Sequence, residues 1–174
     1  FLEIPDKELE REWRWKDHDE EGIRFACFVT LQELRQLTVT LSTLRSKPTP
    51  AQHILSQYHA AYLDLQAALL GLSDEDSDKA PAEGEWSIRR TYAHILGADI
   101  GFTAVVRYAL EGHRAGTWKR EPMSDEDETR LIGMNEEQYK ALTSGPLEGL
   151  VSYHCQFHPA ILDEFSHITD EELD

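Results

Sequence analysis

At 174 residues the chain suits one domain and is too short for two ordinary ones. With 40% hydrophobic and 29% charged residues it has the balance of a soluble globular protein, and folding at this length removes roughly 70% of the unfolded chain's surface from water. Seventeen basic against 33 acidic residues give a net charge of -16, which argues against nucleic acid or an anionic membrane as partner. No apolar run reaches the ~18 residues needed to span a bilayer. Cys27 and Cys155 form no CxxC and no disulfide framework; in their apolar contexts they read as reduced core residues of a cytoplasmic protein. The first residue is Phe1 rather than a methionine, as in a processed or partial product.

Residues 1–21 carry many charges, with Trp13 and Trp15, and read as an irregular lead-in lying across the rest. A helix is predicted near 22–46, because Ile23, Cys27, Leu34, Leu37, Leu41 and Leu44 share one face at about 100° per residue. Lys47-Pro48-Thr49-Pro50 breaks it. A second helix is predicted near 51–71, with Ile54, Tyr58, Ala61, Tyr62, Leu65 and Leu69 on its stripe. Ser87 is the expected N-cap of a third, near 87–111, whose stripe is Ile88, Tyr92, Ile95, Phe102 and Val106. A long acidic connection follows, with a short helix over 136–142. Ser144-Gly145-Pro146 then introduces a last helix near 147–167. Four long amphipathic helices without strand alternation or repeats predict an all-α, up-and-down four-helix bundle, a single domain over 22–174.

Position separates the eight histidines. His18, His53, His59, His113 and His167 fall in charged segments, in loops or off the apolar stripes, and read as solvated. His154 and His158 lie one turn apart at the centre of the stripe formed by Leu147, Leu150, Val151, Ile161, Leu162 and Phe165. Two buried imidazoles need partners, because an unpaired buried polar group costs about 1–3 kcal/mol. Their i, i+4 spacing suits a helical H-x-x-x-H metal site, and equally a hydrogen-bonded pair in a wet cleft. His94, on the flank of the third helix beside Ala98 and Gly101, would supply a third imidazole and leave one metal position open for water. Glu164 and His167 form an E-x-x-H, but they face away from the stripe and no second copy exists.

From Glu85 to Leu96 the sequence runs Glu-Trp-Ser-Ile-Arg-Arg-Thr-Tyr-Ala-His-Ile-Leu, and this element resembles the DinB-like (DinB/YfiT) superfamily. Residues 50–112, including Leu70 to Asp76, resemble that family's first two helices, and residues 147–174 its third. The resemblance implies a four-helix bundle, often dimeric, of metal-dependent hydrolases or thiol-dependent transferases. It also implies a metal held by one histidine of the second helix, here His94, and by an H-x-x-x-H that usually lies on the fourth. The helix over 22–45 looks like that fourth helix placed first, as in a permuted or cut chain, with Glu33 and Leu37 where the two histidines would stand.

Two functions follow as expectations. In the first, His94, His154 and His158 hold a divalent ion, zinc or nickel, and Glu33 is its fourth ligand or the base for a metal-bound water. The reaction is then hydrolysis or transfer on a small-molecule substrate, with a low-molecular-weight thiol as co-substrate. Tyr92, Tyr108 and Tyr153 are possible hydrogen-bond donors nearby. In the second, the metal site has decayed and the bundle is a non-catalytic binding or dimeric interaction module. Both expect a homodimer.

Overall fold

The computed structural model describes residues 5–15, 18–44, 47–118 and 121–173. The chain divides into two compact units, residues 1–48 and 49–174.

In the first unit a short helix, α1 (Asp6–Leu9), precedes an antiparallel hairpin of β1 (Glu12–Trp15) and β2 (His18–Gly22), with Glu12 opposite Gly22 and Trp13 opposite Glu21. Gly22 allows the strand to pass close to α1, since a Cβ there would stand 2.9 Å from the carbonyl oxygen of Leu9. The helix α2 (Ile23–Leu44) follows directly. Two expectations are corrected here. The lead-in is a hairpin rather than irregular, and α2 groups with it, so the division at residues 21 and 22 moves to residues 48 and 49. The side chains of Trp13, Trp15 and His18 lie outside the described set.

The second unit is an all-helical bundle. Its first long helix, α3 (Pro50–Ala68), starts at a capping box in which the Thr49 hydroxyl accepts from the Gln52 amide and the Gln52 side chain accepts from the Thr49 amide. Pro50 at the first helical position has no N–H that needs a partner. A single turn, α4 (Asp74–Ser77), leads to α5 (Ile88–Arg114), where Ser87 caps the amide of Arg90 as expected. The acidic connection contains two short helices. Ser124 caps α6 (Asp125–Ile132), which ends on Gly133 at φ 73°, and Asn135 begins α7 (Glu136–Thr143) with a second capping box. The last long helix is α8 (Leu147–Phe165), followed by a 3-10 turn over Asp170–Leu173. The N-terminus of α8 is capped from a distance: Asp74 Oδ1 accepts from the Leu147 amide at 2.8 Å and pairs with Arg89 at 3.0 Å. No helix among the described residues is long and apolar enough to cross a membrane.

Contacts along the helices define their directions. Tyr58 meets Asp99 while Gln66 meets Tyr92, so α3 and α5 are antiparallel. Tyr92 meets His154 and Arg107 meets Glu164, so α5 and α8 run parallel. The helical-bundle class is as expected, but a strict up-and-down order fails between α5 and α8. The connection carrying α6 and α7 returns the chain to the starting end.

Those two helices also explain why the buried face of α5 is not the one its bulk suggests. The buried positions are Tyr92, Ala93, Leu96, Ile100, Thr103, Ala104 and Leu110, roughly a quarter turn from the expected stripe. Small residues on that side admit close neighbours, and at Gly97 an added Cβ would collide with the Tyr139 hydroxyl of α7. Ile88, Ile95 and Phe102 are left exposed, Phe102 at 72%.

The core joins Tyr92, Leu96 and Ile100 of α5 to Leu147 and Leu150 of α8, with Leu65 of α3 and Leu69 at its C-cap packed alongside. A second cluster joins Leu110, Ile161 and Phe165. Leu150 is completely buried. Leu150→Ala is therefore expected to lower unfolding free energy by about 2–5 kcal/mol in urea denaturation, through lost transfer energy and the cavity left behind.

Candidate functional site

The middle of the bundle is polar. His154 and His158 stand on the buried face of α8 as their spacing required, with only 3% and 1% of their surface exposed. Around them gather Tyr58, His59, Tyr62 and Gln66 from α3, and Tyr92 and Asp99 from α5.

One hydrogen-bonded chain crosses all three helices. The Asp99 carboxylate accepts from the Tyr58 hydroxyl at 2.8 Å and from His154 Nε2 at 3.1 Å. With its proton on Nε2, His154 presents a bare Nδ1, which accepts from the Tyr92 hydroxyl at 2.9 Å. That hydroxyl in turn accepts from Gln66 Nε2 at 3.1 Å. Gln66 Oε1 takes a weak bond from the Cys155 thiol at 3.8 Å, whose sulfur accepts from the Tyr62 hydroxyl at 3.2 Å. Burial raises the pKa of Tyr58, Tyr62 and Tyr92. For Tyr58 the hydrogen bond to Asp99 adds to this, and for Tyr62 the bond to Cys155 does. These phenols therefore stay protonated and act as donors, not as bases.

His158 belongs to a second group. Its Nε2 lies 2.9 Å from His59 Nδ1, and its ring stacks on Tyr62 with centroids 3.8 Å apart. Its Nδ1 is buried without a partner. Burial, then the neighbouring His59 and His154, lower its pKa to about 4, so the ring is neutral at physiological pH.

The three expected histidines are not gathered. His94 lies on the exposed side of α5, its ring edge-on to Trp86 at 5.3 Å. Both nitrogens of His154 are taken by Tyr92 and Asp99, and Glu33 belongs to α2 in the first unit. Among the described residues no group of three or more His, Cys, Asp or Glu is placed to hold a metal ion. The described residues of the second unit do not fit a centre built from His94, His154 and His158.

Other expectations divide. Of the three candidate tyrosines, Tyr92 is in the network, whereas Tyr153 stacks on Phe157 and Tyr108 lies edge-on to Trp118. His59 is not merely solvated, because it is the partner of His158. Cys155 is exposed and Cys27 half-buried, so neither is a core cysteine. No apolar pattern singles out Asp99, although it follows Tyr92 by seven residues, two turns, and so lies on the same side of α5. Tyr58, Tyr62 and Gln66 had only helical spacing to mark them.

A helical bundle whose long helices are joined by an interior histidine–tyrosine–carboxylate network is the class of protein defined by this geometry. The chain belongs to the DinB superfamily, whose family model matches residues 57–174. The match begins within α3 and covers none of α2. No curated protein and no solved structure matches the chain.

Proposed function

We propose that this chain is a non-catalytic binding member of the DinB superfamily, in which the interior histidines serve to lock helices together. The observation that carries this reading is the double engagement of His154 by Tyr92 and Asp99, with His94 turned onto Trp86. An imidazole whose two nitrogens are both bound within the fold must give up a hydrogen bond to ligate a metal. That exchange leaves a buried partner unsatisfied at about 1–3 kcal/mol. The raised pKa of the three tyrosines also supports a structural network over one supplying a base.

Equilibrium dialysis against zinc and nickel, followed by elemental analysis, tests the reading. No stoichiometric uptake is expected. One tightly held equivalent, lost in both His94→Ala and His154→Ala, would overturn it in favour of a metal-dependent hydrolase or thiol transferase. A second copy of the chain is part of the same proposal, supported by the exposed apolar side of α5 around Phe102. Light scattering should give twice the 20.0 kDa chain mass, and the monomer mass at every concentration would remove the dimer.

A further inference from the structure

We propose that the second unit binds a neutral, mostly apolar aromatic small molecule in a pocket beside Trp86, which adjoins the histidine network at Tyr92. The inference rests on the binding reading above and names the class of ligand. The pocket holds about 410 Å³ between α3, the segment after α4 and the first turns of α5, within the ~300–1,000 Å³ usual for small-molecule sites. Leu65 and Leu69, Ile88 and Ile95, and Pro81 and Trp86 supply its apolar lining.

The lining chooses the ligand. Among the described lining residues Lys79 is the one cation, and it is already held by Asp76 at 2.8 Å and Glu75 at 3.4 Å. Asp76 is committed to that pair and to the Ser73 hydroxyl at 2.7 Å. Among the described lining residues no charge is left unpaired to recognise an ionic group, so a charged ligand would be desolvated there without compensation. Apolar and aromatic surface remains as the source of affinity.

Trp86 is held before any ligand arrives. The Arg90 guanidinium lies 4.4 Å from its ring centre and the His94 ring meets it edge-on at 5.3 Å. Arg90 and His94 are one turn apart near the start of α5 and together clamp Trp86, which lies just before the Ser87 cap. This gives His94 a role as a positioning residue. An aromatic wall fixed in advance loses less conformational freedom on binding than a mobile one.

The test is a fluorescence titration of the full chain with the neutral probe N-phenyl-1-naphthylamine in the presence of EDTA, which separates it from the metal measurements. Saturable binding at one site per chain is expected. Trp86→Ala and Ala80→Trp, the second filling the pocket, should each weaken it about tenfold, with unchanged far-ultraviolet circular dichroism. His94→Ala should weaken it about threefold and His94→Phe restore it, because an aromatic edge suffices to hold Trp86. Ile54→Ser, at an exposed position of α3 about three turns before Leu65, should leave it unchanged. No saturable binding, indifference to Ala80→Trp, or loss in Ile54→Ser would overturn the proposal. The last result would mean that the probe coats exposed apolar surface.

Discussion

Metal-free protein should lose stability as the pH falls from about 6.5 towards 4, and much of that loss should vanish when His158 is replaced by phenylalanine. The sign follows from proton counting. The His158 pKa is lowered to about 4 in the folded chain and returns to its ordinary value of 6.5 on unfolding, so between these values the unfolded state binds the extra proton. The contribution is fully present above 6.5, drains away through the window and is gone below about 4. The interval corresponds to about 3 kcal/mol, a large part of the 5–15 kcal/mol typical of a domain. Urea denaturation at half-unit steps of pH, read as wild type minus His158→Phe, cancels the many carboxylates that titrate in the same range. A difference that stays flat from pH 4 to 7 would show that the ring reaches solvent and titrates normally.

Asp99 should be the residue whose loss is felt most widely. Asp99→Ala orphans the Tyr58 hydroxyl and His154 Nε2 together, and each unpaired donor costs about 1–3 kcal/mol, so about 2–5 kcal/mol should be lost. Asp99→Asn should lose far less. Its carbonyl oxygen still accepts from Tyr58, its amide donates to His154 Nε2, and His154 then carries its proton on Nδ1 towards Tyr92. Thermal and urea denaturation of the two variants give the comparison. In the background of His154→Phe the cost of Asp99→Ala should shrink, because one of the two orphans is then absent; the double-mutant cycle measures that coupling. Equal destabilisation by Ala and Asn would mean that the carboxylate's charge, not its role as acceptor, is what the site requires.

The Asp99 network also shows where a sequence stops being informative. The four long helices were legible within one to three residues at most ends, because their apolar periodicity and the caps at Thr49 and Ser87 are local signals. The hairpin at residues 12–22 had a local signal too, in the alternation of Glu12-Trp13-Arg14-Trp15, but the density of charge around it suggested irregular chain. The burial of His154 and His158 followed from one helix alone, since α8 has a single narrow apolar stripe.

What each histidine meets could not be read in this way. On α5 the bulky residues Ile88, Ile95 and Phe102 marked one face and the small residues Ala93, Gly97 and Ala104 the other. Hydrophobic periodicity weighs size, whereas burial here went to the side where α6 and α7 can approach closely. That quarter turn carries His94 further out, to Trp86, while Asp99 stays on the side of Tyr92, two turns away, and meets His154. The sequence by itself therefore determined the helical class, its long segments, the DinB resemblance and the buried histidine pair, all carried by residues close together in the chain. Only the tertiary structure decided the partners of those histidines. A pairing such as His59 with His158 joins residues 99 positions apart, and rotation of a helix about its axis is settled by its neighbours' packing.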